Sequence, residues 1–248
     1  MKPYDLTSKR ILVTGASSGI GRACAIVAAE LGAVVVLTGR RIEALRDTAS
    51  MCKGSDHTIV AGDITSSNFI AELVEKAGKI DGLVHAAGVA PMCPIGMLSK
   101  EDVDAVMGVN YYSFLALMTY YSKRKYRGDH FSAVAVSSVS CASGWAGGTA
   151  YCGSKGALSA SVRSMAVELA SKGVCVNAVC PSNIRTPLYE SGASDMNDAD
   201  ALKALMSRQP LGLGEAEQVA WPVCFLLSDA ASFITGVNLP VDGGYLAQ

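Results

Sequence analysis

Continuous apolar runs alternate with helical patterns along the whole chain, and this alternation constrains the fold more than any other feature. Segments rich in Ala and Leu with one polar face, such as 21–32 and 154–172, are typical of amphipathic helices. Strands without an alternating polar face are usually buried on both sides in a parallel sheet. The pattern therefore predicts an α/β fold, a doubly wound parallel sheet of about seven strands with helices on both faces. The predicted strands cover residues 10–15, 33–39, 57–62, 80–88, 131–138, 174–181 and 236–243.

The domain organisation is predicted to be simple. No linker rich in Pro, Gly or Ser and no internal repeat divides the sequence, so residues 1–248 are expected to form one domain. The least regular segment, 182–212, follows the carboxyl end of a predicted strand and contains a short helical patch around 199–207. Open α/β sheets bind ligands at that edge, so we interpret this segment as a substrate lid. An ordinary surface excursion is the alternative.

Charge and cysteine usage exclude several classes of protein. The 21 basic and 22 acidic residues nearly cancel, which predicts no general attraction to nucleic acid or to an anionic membrane. The first ten residues lack the apolar stretch of a signal peptide, and no run reaches the roughly 18 apolar residues of a membrane span. The eight cysteines form no CxxC pair. This spacing favours reduced, mostly buried thiols in a cytoplasmic protein, with no metal site.

A glycine-rich loop, TGASSGIG at 14–21, follows the first predicted strand and opens a helix. Gly15, Gly19 and Gly21 permit a tight turn and a close approach to a pyrophosphate, and the helix start offers free N–H groups. A strand–helix turn without a ligand is the alternative, but the position after the first strand favours a dinucleotide site. The other expected contacts in this loop are Ser17, Ser18 and Ile20.

Two arginines follow the second predicted strand. An NAD site would place Asp or Glu there, on the ribose 2′-hydroxyl, whereas Arg40 and Arg41 suit a 2′-phosphate. The sequence therefore favours NADP(H). Asp63, at the end of the third strand, is a candidate hydrogen-bond partner for the adenine amino group, with a helix cap or turn as the alternative.

The catalytic candidates begin with YCGSK, which places Tyr151 and Lys155 four positions apart on one helix face. A neighbouring ammonium favours the ionised phenol and lowers its pKa. The motif alone would be an ordinary helical pair. Ser138 ends the fifth predicted strand, where its hydroxyl could orient a substrate oxygen.

These motifs together resemble the short-chain dehydrogenase/reductase family, in its single-domain branch with a Rossmann fold. The resemblance extends over essentially the whole sequence. The matching motifs are TGxxxGIG at 14–21, the strand-three aspartate at Asp63, NNAG at 85–88, the helix asparagine at Asn110, the S…YxxxK set at Ser138, Tyr151 and Lys155, and PGxxxT at 181–186.

The resemblance implies a role for each catalytic candidate. Tyr151 would be the general acid in ketone reduction, and Lys155 would lower its pKa and bind the nicotinamide ribose. Ser138 would hold the carbonyl oxygen, and Asn110 would keep a water that links Lys155 to solvent. Ile184 and Thr186 fit the carboxamide-binding role. The remaining nucleotide contacts implied by the resemblance are Ile64, Ala87, Gly88 and Pro181.

The sequence departs from the family pattern at two places. His85 and Ala86 occupy positions where the family usually has two asparagines, so a side-chain hydrogen bond there must be replaced or absent. Ser182 stands where a glycine commonly follows the proline. We interpret His85 as a strand residue with a hydrogen-bond partner, because Tyr151 already fills the role of the acid.

The substrate is less defined by the sequence. The overall pattern is similar to 3-oxoacyl-[acyl-carrier-protein] reductases, so a 3-oxoacyl carrier-protein thioester is the expected substrate, and another small ketone, sugar, polyol or steroid is the alternative. Trp145 and Tyr189 are the expected lining residues, with Cys141, Gly147 and Gly148 as further candidates. An acidic carrier protein could dock on a basic cluster, although basic residues are also common near helix C-termini. That cluster comprises Lys123, Arg124, Lys125, Arg127 and Lys172.

The resemblance also implies a homotetramer. A function of another class, a non-catalytic NADPH-binding module that regulates a partner, is opposed by the complete set of Asn110, Ser138, Tyr151 and Lys155. An epimerase or dehydratase of the long branch is disfavoured by the glycine spacing and by the chain length.

Overall fold

The computed structural model describes residues 4–192 and 207–248. Most strands coincide with the apolar runs in the sequence. Their bounds are β1 Arg10–Thr14, β2 Val34–Gly39, β3 Thr58–Ala61, β4 Ile80–His85, β5 Arg127–Val136, β6 Val174–Pro181, β7 Ile184–Arg185, β8 Gly214–Glu215 and β9 Asn238–Val241.

The helices occupy the segments between strands. A short π-helix, Gly108–Tyr112, joins two of them without a break. The α-helices in the described ranges are α1 Gly19–Glu30, α2 Ile42–Met51, α3 Ser67–Ala77, α4 Lys100–Met107, α5 Ser113–Tyr121, α6 Thr149–Leu169, α7 Pro187–Gly192 and α8 Ala216–Leu227.

Seven strands form one parallel sheet in the order β3-β2-β1-β4-β5-β6-β9. The strand order reverses direction between β1 and β4, which is the switch point where open sheets bind ligands beyond their carboxyl ends. The doubly wound α/β fold expected from the sequence is confirmed. The two-residue strands β7 and β8 pair with each other outside this sheet. They were not predicted, because two residues carry no periodicity.

Helices cover both faces of the sheet. Along β1, Ile11 and Val13 belong to one apolar layer, which also contains buried residues of α1 and α8. Leu12 points to the other layer, with α3, α5 and α6. Because successive side chains of a strand alternate between faces, a sheet buried on both faces requires unbroken apolar strands. This requirement explains the continuous runs in the sequence.

Two strand ends differ from the sequence-based expectation. The predicted strand 80–88 stops at His85, because the N–H groups of Ala86 and Ala87 both donate to the Thr14 hydroxyl instead of to a neighbouring strand. The predicted strand 131–138 begins earlier, at Arg127, where it pairs with Ile80. A long-range side-chain acceptor and a long-range pairing are not visible in a local pattern.

Part of the predicted lid, residues 193–206, lies outside the described residues, and so does most of its helical patch. Within residues 4–192 and 207–248, no helix is long and apolar enough to cross a membrane, and no group of His, Cys, Asp and Glu has the arrangement of a metal site. All eight cysteines are free thiols. Four of them are buried and four are partly buried, so burial is less general than the sequence suggested.

Candidate functional site

The glycine loop joins β1 to α1 at the carboxyl edge of the sheet. Gly15 has φ +66° and lies so close to the neighbouring loop that a Cβ would be 2.8 Å from the backbone carbon of Ala86. A Cβ on Gly21 would lie 2.3 Å from the carbonyl oxygen of Gly15. Both positions therefore require glycine. The side chain of Ser18, the residue before α1, makes no capping hydrogen bond, so the first N–H groups of the helix suit an anion such as a pyrophosphate.

Basic side chains border this loop. The Arg41 guanidinium donates to the hydroxyl oxygens of Ser17, at 3.3 Å, and Ser18, at 3.0 Å. Arg40 lies near Asp63, whose carboxyl pKa its charge helps to lower. The loop thus combines two hydroxyls with an exposed guanidinium, a donor set that fits a phosphate on the adenosine ribose.

Asp63 lies at the end of β3 and forms a local turn. Its Oδ1 accepts hydrogen bonds from the N–H and the hydroxyl of Thr65, at 2.9 and 2.8 Å. These two bonds, with the backbone bond as the larger cause, hold the pKa of the carboxyl below its usual value. The turn considered in the sequence analysis is therefore present. The neighbouring Ile64 packs against the apolar layer of α3. The contact of Asp63 with adenine and the contact of Ile64 with the nucleotide stay predictions.

Thr14, at the end of β1, connects the glycine loop to β4. Its hydroxyl oxygen accepts the N–H groups of Ala86 and Ala87, both at 3.1 Å, and lies 3.1 Å from Nδ1 of His85. With both acceptor positions used, the hydroxyl proton points to Nδ1. On the other side of the ring, Nε2 lies 3.4 Å from the hydroxyl oxygen of Ser113, which itself donates to a backbone carbonyl. This network assigns the proton of a neutral imidazole to Nε2.

The protonation of His85 follows from its position. The side chain is fully buried, and burial is the main cause that lowers its pKa to about 3, with the positive charge of Lys155 adding to the effect. The interpretation of His85 as a strand residue with a hydrogen-bond partner is confirmed. In this chain, the side-chain hydrogen bonds at positions 85 and 86 are made by Thr14, His85 and Ser113.

Asn110 lies in the π-helix and is fully buried. Its Oδ1 accepts the N–H of Val89 at 2.8 Å, and its Nδ2 donates to the Val89 carbonyl and the Ser154 hydroxyl, both at 2.9 Å. The side chain thus ties the loop after β4 to α6. A Cβ on Gly88 would lie 3.4 Å from Oδ1 of Asn110 and 3.6 Å from Nζ of Lys155, so these three residues are close neighbours. The water expected at Asn110 stays a prediction.

Tyr151 and Lys155 lie in the first turns of α6, one turn apart. Nζ of Lys155 is 5.7 Å from the centre of the Tyr151 ring and donates to the Val136 carbonyl at 2.8 Å. Ser138 follows β5, where its hydroxyl oxygen accepts the N–H of Ser140 at 3.1 Å and its side chain hydrogen-bonds to Tyr151. The fold therefore brings together the three side chains of the S…YxxxK set at the carboxyl edge of the sheet.

Burial sets the protonation of this group. It raises the pKa of the Tyr151 phenol, and the hydrogen bond from Ser138 opposes that effect. Burial also lowers the pKa of Lys155 to about 8. The lowering of the phenol pKa expected from Lys155 is not found in the described structure, because desolvation of the phenolate raises that pKa. At neutral pH the phenol is protonated and Lys155 is mostly charged.

The end of β6 reaches the glycine loop. A Cβ on Gly19 would lie 3.2 Å from Cγ2 of Thr186, so the segment expected to bind the carboxamide borders the glycine loop. Pro181 ends β6 beside Val241, and Ile184 is buried in β7.

Ser182 replaces the family glycine with a hydrogen-bonding group. Its hydroxyl lies 2.7 Å from Oε1 of Gln209 and 2.9 Å from the Asp242 carbonyl. The buried Gln209 also accepts the N–H of Asn183 at 3.2 Å and donates to the Asn183 carbonyl at 3.1 Å. Gln209 thereby positions the backbone just before Ile184. Sequence reasoning missed it, because a lone glutamine among turn formers carries no signal.

An apolar ring lies beside the phenol. The ring of Trp145 is centred 6.3 Å from that of Tyr151 and covers Gly148, where a Cβ would lie 2.4 Å from the indole. Met92 packs against Gly147 in the same way, at 2.6 Å, and was not predicted. Tyr189 lies on α7, where its N–H donates to the Thr186 hydroxyl, and no described contact joins its ring to Tyr151.

The basic cluster lies at the opposite edge of the sheet. Its residues lie before or at the start of β5 and before β6, whereas Ser138 and Pro181 stand at the carboxyl ends of these strands. Arg127 is buried, and its guanidinium donates to the carbonyls of Gly128 and Lys172, both at 2.9 Å. The possibility that Arg127 belongs to an exposed docking cluster is contradicted, because β5 begins at this residue and its side chain is buried.

Several known proteins are similar to this chain over nearly its whole length. The family model described as enoyl-(acyl carrier protein) reductase matches residues 15–246. L-xylulose reductase of Mus musculus is 35% identical over 244 residues, with 98% of each chain covered. The 3-oxoacyl-[acyl-carrier-protein] reductase of Rickettsia felis is 34% identical over 243 residues, again with 98% of each covered.

A solved structure is similar over the same length. The putative NAD(P)-dependent gluconate 5-dehydrogenase of Beutenbergia cavernae, with bound NADP at low occupancy, is similar with a TM-score of 0.88, 30% identity, and coverage of 99% of this chain and 100% of that one. The chain therefore belongs to the short-chain dehydrogenase/reductase family and is an oxidoreductase of alcohols and ketones that uses an NAD(P) nucleotide.

Proposed function

We propose that this protein is an NADP(H)-dependent carbonyl reductase that converts a ketone to a secondary alcohol. The observation that carries the proposal is the meeting of Ser138, Tyr151 and Lys155 beside the glycine loop. A hydroxyl pair with a buried ammonium behind it can hold a carbonyl oxygen and protonate it as negative charge develops.

Each side chain has a defined task in this reaction. Bound NADPH would supply the hydride. The hydroxyls of Ser138 and Tyr151 donate to the substrate oxygen, and Tyr151 passes its proton to the developing alkoxide. The raised pKa of the phenol keeps that proton in place at neutral pH. Lys155, held by the Val136 carbonyl, then stabilises the phenolate that remains.

The preference for NADP(H) rests on Arg41 and its bonds to Ser17 and Ser18. Arg41→Asp is expected to weaken NADPH binding by about tenfold to a hundredfold, since hydrogen bonds to charged groups contribute roughly 1.5–3 kcal/mol. NADH binding should change little. Fluorescence titration of both nucleotides measures this, with Arg46→Asp, an exposed arginine of α2 that pairs with Glu43, as the matched control. Equal weakening of both nucleotides by Arg41→Asp would contradict the assignment. Arg40→Asp is expected to act in the same direction as Arg41→Asp.

We further propose a 3-oxoacyl-[acyl-carrier-protein] as substrate. Two observations support it: the indole of Trp145 beside the phenol, with Met92 against the nearby Gly147, and the similarity to the Rickettsia felis reductase. An indole and a thioether favour an apolar substituent on the ketone. A sugar ketone is the second candidate, supported by the 35% identity with L-xylulose reductase.

A substrate panel tests this function. NADPH oxidation would be followed with 3-oxoacyl thioesters, L-xylulose, a keto-gluconate and an apolar cyclic ketone. We expect kcat/KM for the thioesters to exceed that for both sugars at least about tenfold, since one or two apolar groups contribute 1–3 kcal/mol to discrimination. The reverse order would support sugar reduction. No turnover of any ketone, together with intact NADPH binding, would support the regulatory module instead.

We also propose a homotetramer in the cytoplasm. The exposed apolar side chains of Val167, on α6, and Phe233 support self-association. Eight free thiols support a reducing compartment. For carrier-protein docking, the exposed residues of the basic cluster are Lys123, Arg124, Lys125 and Lys172.

A further inference from the structure

Two thiols lie in contact with each other next to the turn that follows Ser138. The sulfurs of Cys141 and Cys180 are 3.9 Å apart and form a hydrogen bond. Cys141 ends the 3-10 turn Val139–Cys141 that follows Ser138, and Cys180 stands next to the last residue of β6. Neither thiol takes part in the proton transfer proposed above.

We propose that Cys141 and Cys180 are a modification site that a hydroperoxide oxidises to a disulfide, and that this disulfide suppresses reduction of the ketone. The disulfide itself is independent of the proposed function. Its effect on turnover rests on that function, so the two parts need separate measurements.

The two thiols differ in the way that such a reaction requires. Cys141 is partly exposed, whereas Cys180 is buried. The hydrogen bond from Cys180 is the main cause that lowers the pKa of Cys141 to about 6, and the same bond raises the pKa of Cys180. Cys141 is thus the accessible thiolate, the form that reacts with peroxides, and Cys180 is the resolving thiol.

The chemistry balances with the hydroperoxide as the only oxidant. The Cys141 thiolate attacks the peroxide, the O–O bond breaks, and a sulfenic acid and an alcohol or water form after protonation. The Cys180 sulfur then attacks the sulfenic sulfur, an S–S bond forms, the S–O bond breaks, and water leaves. Two thiols are oxidised to one disulfide while the hydroperoxide is reduced.

The bond would disturb the catalytic turn. A disulfide is about 2.05 Å long, so the sulfurs must approach each other by nearly half of their present separation. The N–H of Cys141 donates to the Ser138 carbonyl at 3.0 Å, and the N–H of Ser140 donates to the Ser138 hydroxyl oxygen at 3.1 Å. A shift of Cys141 is therefore transmitted to Ser138. Misplacing a catalytic group by about 1 Å can cost roughly a hundredfold in rate.

Another neighbouring pair shows why the position matters. Cys24 and Cys224 are close enough for the charge on Cys224 to affect the pKa of Cys24, but both side chains are buried. Burial raises the pKa of each thiol. Both remain protonated and out of reach of a peroxide, so we expect no reaction there.

The experiment oxidises the full-length protein with hydrogen peroxide and then measures the cross-link and the activity. Digestion after Lys and Arg gives peptides 128–155 and 173–185, which we expect to be joined with the loss of two hydrogen atoms. Activity should fall at least about tenfold. Dithiothreitol should restore it. Each peptide holds a second cysteine, Cys152 or Cys175, so variants are needed to identify the bond.

The variants are compared by the ratio of activity after and before oxidation. Cys141→Ala and Cys180→Ala should each fail to form the cross-link, and their ratio should stay near one. Cys175→Ala, on the same strand as Cys180, should behave as the parent chain does.

Four results would overturn the proposal. The first three are no joined peptides, a loss of activity that persists in Cys141→Ala, and a cross-link that forms without a fall in activity. Protection by Cys152→Ala alone would place the reaction at the wrong thiol and would also overturn it. If no ketone is turned over, the proposed function fails, and the joined peptides still test the thiol pair.

Discussion

Tyr151→Phe is expected to lower kcat for ketone reduction by about 10²–10⁴, the usual contribution of a positioned general acid. Phe keeps the ring that lies against Trp145 and removes only the hydroxyl, whose described partner is Ser138. The fold and the affinity for NADPH should therefore change little. Steady-state kinetics, thermal unfolding and nucleotide titration together separate lost proton transfer from lost structure.

The pH dependence sharpens this prediction. Ketone reduction needs the protonated phenol. Because burial raises the pKa of the phenol, the rate of reduction should change little with pH around neutrality. Alcohol oxidation needs the phenolate, so its rate should rise with pH over the same range. Ser138→Ala removes the hydrogen bond that lowers the phenol pKa and should move the oxidation profile to higher pH.

A Tyr151→Phe variant with more than a tenth of the parent kcat would refute the assignment of the acid.

Acid should destabilise this protein through His85. The unfolded imidazole has a pKa of about 6.5, whereas the folded one binds a proton only near pH 3 because it is buried. Between these values the unfolded state binds more protons, so the free energy of unfolding falls as the pH falls. The contribution is complete above about pH 6.5 and is lost towards pH 3, at roughly 1.4 kcal/mol per pH unit for this one group.

His85→Asn tests the source of that slope. The substitution removes the titrating group, so the slope of the unfolding free energy with pH should decrease by about 1.4 kcal/mol per unit in this window. His130→Asn, which changes an exposed histidine, should leave the slope as it is in the parent chain. Urea denaturation of the parent chain and of both variants at pH 7, 5 and 4 gives the slope for each of the three proteins. The asparagine variant will also lose some stability at pH 7 because of the volume change, so the slope is the informative quantity. An unchanged slope in His85→Asn would mean that other groups dominate.

Much of the fold could be predicted from the apolar runs, because a sheet buried on both faces requires them. The early start of β5 at Arg127 and the end of β4 at His85 could not, since both depend on partners far away in the chain. The π-helix around Asn110 was equally invisible, because the residues of a π turn follow no pattern distinct from that of an α-helix.

The site shows the same division between local and long-range information. The spacing of Tyr151 and Lys155 was sufficient to place both on one face of α6. It could not give the direction of the phenol pKa, because that depends on how much protein surrounds the ring. Gln209 is a clearer case: its bonds to Ser182 and Asn183 span more than twenty positions of sequence. Only the folded chain reveals such a residue.

The placement of the basic cluster limits how a carrier could deliver a substrate. β5 runs from Arg127, beside the cluster, to Val136, just before Ser138, and its ten residues rise about 3.3 Å each. A carrier protein docked on Lys123 and Lys125 would therefore need a flexible arm of roughly 30 Å to bring a thioester to Tyr151. A carrier with a shorter arm must approach from the edge where Met92 and Trp145 lie. A small free ketone has no such requirement and needs only to diffuse in.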